Sequence, residues 1–259
     1  MGYIKADLKR CFTSIWFFIA VIGISLSYFL GDFGDLTMNI SRFDVLSFMK
    51  ISSSIGYFSE LTILLAALPF TMSFCEDIEN NYIRFLIIRG NSFKYALSKI
   101  IVCIVSSFIS VFVGKACIIL FLMTKLPLVS ETTGNYEVFI NQTFGYLLIN
   151  KNFILYFIIE IFFTAVICSM FSIIGLTITT YINNKFLAIT APIISYFIFY
   201  QISRAMKLPT YLSVNRLMNG DFILGKPMTN IIYVTVIGIL TYSLGLLIFY
   251  KGVVKNVKR

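Results

Sequence analysis

Three ionisable residues, Glu60, Lys115 and Glu160, stand inside long apolar runs of this chain. A charge in such a run costs roughly 3 kcal/mol or more unless it is paired or solvated, so each is a candidate functional group. With a rise of ~1.5 Å per residue, Glu60 and Glu160 each fall about seven residues from the same end of their runs, and Lys115 falls about sixteen residues beyond Lys99. All three therefore sit at similar height, and the expectation is that Lys115 pairs with Glu60 or Glu160, or bridges both. Two uses of such a cluster stay open: a buried pair that sets helix register, or a polar lining for a transport path.

Other chemistry is sparse. The chain has no histidine, which removes imidazole acid–base work and His metal sites. It contains no HExxH, GxSxG or paired-Asp motif and no GxxxxGK[ST] phosphate loop, so no catalytic, cofactor or metal residue is assigned. The five cysteines form no CxxC pair and fall mostly in or beside apolar runs, where cysteine acts as a small hydrophobe. Ser106, Ser110 and Gly114 recur every fourth residue and mark a small-residue face for close helix packing, within this chain or against a second copy.

The elements that must position these groups are membrane spans. Of 259 residues, 58% are hydrophobic and only 13% charged, a balance that points to a multi-pass membrane protein with no separate soluble domain. Candidate spans run over 12–30, 53–74, 98–122, 153–181, 186–202 and 230–250, each near the roughly 20 apolar residues that cross a ~30 Å core. The first run is long enough to span and lacks a clear small-residue cleavage site, so it reads as a retained helix. Pro69 and Pro192 interrupt the second and fifth spans. With both termini inside, about twelve Lys and Arg lie on the inner side against about eight outside, which agrees with the positive-inside rule and an even number of spans. The net charge of +9 then reads as anchoring on anionic lipid rather than nucleic-acid binding. The outer segment 203–229 mixes apolar and basic residues, and reads either as a solvated loop or as short helices dipping back to the interface.

The inner stretch Phe74 to Ile100 is the most charge-dense part of the chain. Periodicity predicts an amphipathic helix over Glu76 to Ile88. Ile78, Tyr82, Phe85 and Leu86 share one face, while Glu76, Asp77, Asn80, Asn81 and Arg84 lie mostly opposite. Acidic residues lead it and Arg89 ends it, which suits the helix dipole, and Gly90 supplies the turn. Asn91 and Ser92 offer a fresh cap for a helix carrying Lys94, Tyr95 and Lys99 into the third span. Such a helix either lies on the membrane surface or lodges in a cleft of a partner protein.

Acidic residues ending the second span, a short helix, a turn with a basic residue and a Lys opening the third span together resemble the permeases of the ABC-2 type. Glu79, Leu86 and Lys99 sit at matching places, while Asn81-Tyr82 stands where Gly-Thr is usual and Gly90 where Pro is usual. The N-terminal YIKADLKRCFTSIWFF looks like that family's interfacial helix. The resemblance implies an all-α membrane fold: six transmembrane helices, an N-terminal interfacial helix, a cytoplasmic coupling helix between the second and third spans, and re-entrant outer helices between the fifth and sixth. It implies a single domain over 1–259 in a bacterial cell membrane, with both termini cytoplasmic. It further implies an exporter permease working with a second permease subunit, identical or paralogous, and with separate ABC ATPase subunits that hold ATP and Mg. The coupling residues would be Glu76, Asp77, Glu79, Tyr82, Arg84, Phe85, Leu86 and Arg89, and the cargo a hydrophobic or amphipathic compound such as an antimicrobial peptide or drug. The alternative is a non-transporting immunity or accessory protein that needs no ATPase.

Overall fold

The computed structural model describes residues 2–31, 44–54, 60–82, 91–130 and 136–257. Among them the protein is all-helical, with no strand. The chain begins with α1 (Gly2–Phe12) and α2 (Ile15–Gly31), which meet at a 55° bend. Thr13 helps to make the bend, its hydroxyl donating back to the Lys9 carbonyl at 2.8 Å. Short helices α3 (Val45–Ser54), α4 (Leu61–Ala67) and α5 (Ser73–Glu79) follow. The long α6 (Ser92–Met123) precedes two short helices, α7 (Tyr136–Ile140) and α8 (Gly145–Ile149). The remainder is α9 (Phe153–Thr179), α10 (Lys185–Ala205), α11 (Val214–Asn219) and α12 (Pro227–Val257).

Four helices, α6, α9, α10 and α12, are long and apolar enough to cross a membrane, and the bent pair α1–α2 makes a fifth if taken as one span. Their starts follow from local chemistry. Asn91 caps α6 by accepting from Phe93 N–H at 2.8 Å, and Asn184 caps α10 by accepting from Phe186 and Leu187 N–H. The most enclosed long helix is α9, packed by α6, α10, α12, α4 and α11. By contrast α10 and α12 expose rows of Ile, Leu and Phe, among them Ile194, Ile198, Ile239 and Leu247. Exposed apolar area on that scale suits contact with lipid, not water. The protein is therefore an all-α membrane protein with several spans.

Two expectations need correction. The segment 53–74 contains no single helix among its described residues. Instead α4 ends at Ala67, turns occupy 68–72, and α5 starts at Ser73. The cause is Pro69, which brings no N–H to the helical ladder. The dihedrals at Leu68 and Met72 remain helical. The amphipathic helix expected over Glu76 to Ile88 also breaks: α5 ends at Glu79 and Asn81 takes φ +52°. Asn tolerates this left-handed conformation and so ends helices as glycine does.

Contacts at the helix ends fix the topology. Asn256 Nδ2 donates to the Thr180 carbonyl at 2.6 Å, and Lys185 pairs with Glu79. Lys99 reaches Asp7 in α1. Both ends of the chain, α5 and the α9–α10 turn thus share one end of the bundle. At the opposite end, Val45 N–H donates to the Pro127 carbonyl at 3.0 Å, and Thr143 Oγ1 donates to the Phe222 carbonyl at 2.7 Å.

Candidate functional site

At the end that carries the termini, α5 is tied to its neighbours by a charged knot. Asp77, only 2% exposed, sits 2.7 Å from Lys99 Nζ and accepts from Arg10 Nη1 at 2.7 Å and Tyr95 OH at 2.7 Å. Arg10 also pairs with Glu76. Lys99, 1% exposed, completes its shell with Asp7 at 3.1 Å and lies 5.0 Å from the Phe70 ring centroid. Ser98 donates to the other Asp7 oxygen at 2.8 Å. Burial pulls the Arg10 guanidinium down, but Asp77 and Glu76 outweigh it and hold it above its ordinary value. For Asp77 burial pushes the carboxyl up, and Lys99, Arg10 and Tyr95 more than reverse this, leaving it below its ordinary value.

The knot joins α1, α5 and α6 through groups that cannot be separated cheaply, because a buried charge left alone keeps its full desolvation penalty. Outside it, α5 presents Glu76 and Glu79, with Tyr82 half-exposed just beyond. Glu79 reaches Lys185 at the start of α10. The tip of this region is thus polar and accessible, while its root is rigidly held.

A second constellation lies deeper, toward the opposite end. Lys115, 1% exposed on α6, donates to Thr164 Oγ1 at 2.8 Å and lies 4.7 Å from the Tyr28 ring centroid. Glu160 stands one turn before Thr164 on α9. Both carboxylate oxygens of Glu160 are buried without a hydrogen-bond partner. Lys50 from α3, 4% exposed, is paired with Asp221 at 3.1 Å and lies 5.7 Å from the Tyr156 ring centroid. Lys50, Gln142, Tyr156, Glu160, Phe163 and Asp221 surround a cavity with room for one water molecule. Gly220, at φ +71°, ends α11 and lets the chain turn so that Asp221 meets Lys50; Phe163 lies directly against it.

Compared with known proteins, the chain matches no family model, no curated protein and no solved structure.

Of the residues singled out from sequence, Glu76, Glu79 and Tyr82 lie on the accessible tip, whereas Asp77 is turned inward to the knot and offers no free surface to a partner. Arg84, Phe85, Leu86 and Arg89 lie outside the described residues. Lys115 bonds Thr164, one turn along α9 from Glu160, and makes no ion pair with either Glu160 or Glu60, so the expected pair is not formed. Glu60 stands partly exposed at the start of α4. Ser106, Ser110 and Gly114 are buried within this chain, and Gly114 faces α2. A Cβ there would stand 2.8 Å from Ile24 and 3.1 Å from the Val21 carbonyl, and Ser25 Oγ donates to the Gly114 carbonyl at 2.7 Å.

Sequence reasoning missed Asp7, Arg10, Lys50 and Asp221 as partners. Lys50 falls between the expected spans 12–30 and 53–74, although Val45, Leu46, Phe48 and Met49 beside it are a sign of a buried helix. Among the described residues no group of three or more Cys, Asp or Glu side chains is placed to hold a metal ion.

Proposed function

We propose that this chain is the membrane-spanning permease subunit of an ATP-driven exporter, in which α5 and the residues after it couple to a separate ATPase. The observation that carries this reading is the knot at Asp77. A lever between a motor and a membrane bundle needs an accessible tip and a root that does not yield. Here Glu76, Glu79 and Tyr82 supply the tip, and Asp77, Lys99, Arg10 and Asp7 supply the root. A push on the tip would pass to α1 and α6 through the knot and to α10 through Lys185. The Asn81 conformation adds support, since it takes the left-handed geometry open to the glycine that ABC-2-type permeases usually carry there.

In this reading the end holding the termini is cytoplasmic, α4 lies in a broken second span that ends as α5 begins, and α11 is a re-entrant outer helix, which makes six spans. The exposed faces of α10 and α12 meet lipid and a second permease subunit. ATP and Mg belong to the partner ATPase. The cargo class is hydrophobic or amphipathic, of the size of a peptide or drug. Motion of the ATPase pair would shift the balance between two arrangements of the bundle by touching each differently.

The test is purification of tagged protein from its own host membranes. A copurifying ATP-binding protein, lost in the Glu79→Lys and Tyr82→Ala variants while the chain stays folded, is the expected result. A working protein that brings down no ATPase would overturn the reading in favour of an accessory or immunity protein.

A further inference from the structure

A basic groove stands where α10 ends and the chain turns toward α11. Because α10 begins beside Glu79, at the end that holds the termini, its last turn lies at the opposite end of the bundle. Tyr200 and Arg204, one turn apart on α10, line the groove together with Lys207, Thr210, Ser213 and Arg216, and it encloses about 370 Å³. Lys207 takes φ +48°, its N–H donates to the Arg204 carbonyl at 3.2 Å, and Leu208 N–H donates to the Ser203 carbonyl at 3.0 Å. Backbone groups thus close the end of α10. The Arg204 and Lys207 side chains are not needed as caps and are exposed.

Arg204, Lys207 and Arg216 bring three positive charges to this groove, and among the described residues no carboxylate lines it. None of the three makes an ion pair among the described residues. Asp221, the acid that follows α11, is paired with Lys50 instead. Like charges gathered in one groove repel, and an anion that meets all of them relieves this. The flank of the groove is apolar. Ile194, Phe197 and Ile198 are exposed on α10, and Phe197 stands about two turns before Arg204 on the same side of the helix. Tyr211 packs edge-on to Tyr233, with ring centroids 6.4 Å apart, and its carbonyl accepts from Tyr233 OH at 3.0 Å. Tyrosines at the end of an apolar span mark the depth of the lipid headgroups. Cations at headgroup depth therefore adjoin an apolar helix face that leads away into the span.

We propose that this groove binds the phosphate headgroup of an anionic phospholipid, with the acyl chains lying along Ile194 and Phe197. Arg204 and Arg216 can each meet phosphate oxygens with a planar fork, Lys207 adds a point charge, and the Thr210 and Ser213 hydroxyls are further donors. A zwitterionic headgroup brings its own cation into a groove that already holds three, so the site selects for net negative charge. Inorganic phosphate meets the same donors but gains nothing from the apolar face, and an acidic peptide leaves that face to other lipids. The exporter reading enters only in assigning the lipid to the outer leaflet; the binding stands without an ATPase.

The experiment uses the full chain purified in a neutral detergent. It is titrated with phosphatidylglycerol, phosphatidylcholine, inorganic phosphate or poly-glutamate, and bound ligand is counted by native mass spectrometry. Phosphatidylglycerol is expected to bind at least about fivefold tighter than phosphatidylcholine, and inorganic phosphate to leave it in place. Lys207→Asn keeps a residue that accepts the left-handed backbone, and Arg204→Gln changes an exposed site, so both variants are expected to melt as the parent does. Each should weaken phosphatidylglycerol by about fivefold and leave phosphatidylcholine unchanged. Lys251→Gln removes the same charge from an exposed position at the other end of the bundle and should change neither. Equal binding of the two lipids, unchanged binding in both groove variants, or an equal loss in Lys251→Gln would overturn the site. Displacement of the lipid by inorganic phosphate would make it a free-anion site, and displacement by poly-glutamate at lower concentration a peptide site; either overturns the lipid assignment. No ATPase is present in this assay, so its failure leaves the exporter reading standing, and failure of ATPase copurification leaves this inference standing.

Discussion

Replacing Asp77 by Asn is the sharpest perturbation of the knot. The change keeps the side-chain volume and the contact with Tyr95 but removes the charge that Lys99 and Arg10 share. Deleting one partner of a buried pair costs about 3–5 kcal/mol. Two features place the loss near the lower end. Lys99 keeps Asp7 at 3.1 Å, and Arg10, with more than a third of its side chain exposed, keeps Glu76 and water. A loss of about 3 kcal/mol, at about 2–4 °C per kcal/mol for a chain of this size, lowers the melting temperature by about 6–12 °C. Thermal unfolding of the purified protein in detergent, followed by loss of the monodisperse peak, measures it. The pH dependence has a definite sign. The Asp77 carboxyl is held below its ordinary value of 3.8 in the folded state, so its contribution is complete above that value and is lost as the pH falls below it. The native protein should therefore show no Asp77-dependent change between pH 7 and about pH 5, and the difference between native and Asp77→Asn should shrink only in stronger acid. A variant that melts within about 2 °C of the native protein at pH 7 would refute the idea that the knot makes the root of α5 rigid.

Lys115→Met should destabilise by about 1–3 kcal/mol because it removes the hydrogen bond to Thr164 and a buried positive charge near Glu160, and a double-mutant melting cycle with Glu160→Gln would measure how far the two sites couple. Glu60→Gln should leave melting nearly unchanged, since Glu60 is partly exposed and does not act on Lys115. Gly114→Val should cost about 1–3 kcal/mol by forcing α6 away from Ile24 and the Val21 carbonyl, read out as lowered melting and yield. Glu79→Lys should leave melting unaltered, because both Glu79 and Lys185 are largely exposed, so any loss of copurifying ATPase in that variant reports the contact itself.

The long helices were legible because their signal is local. An apolar run of some twenty residues must be a span wherever its neighbours lie, and the expected segments 98–122, 153–181, 186–202 and 230–250 fall on α6, α9, α10 and α12 with shifts of a few residues. The helix start at Asn91 was readable for the same reason, since a cap acts within its own turn. The end of α5 was harder. Asn80-Asn81 is visible as a pair of helix-neutral residues, but the 3.6-residue periodicity runs across it, and only the left-handed backbone at Asn81 marks where α5 stops.

The charged groups divide along the same line. Sequence by itself showed that Lys115 and Glu160 must find partners, because a charge inside an apolar run is costly anywhere. It also showed, through length and hydropathy alone, that this chain is a multi-pass helical membrane protein. Only the tertiary structure decided who pairs with whom. Lys50 meets Asp221 across 171 residues of chain, and Asp7 meets Lys99 across 92. Neither pair leaves a periodic trace, since each depends on how separate helices are turned and how far their ends overlap. Desolvation acts on a residue one at a time and can be read along the chain; ion pairing acts through space and waits for the helices to pack.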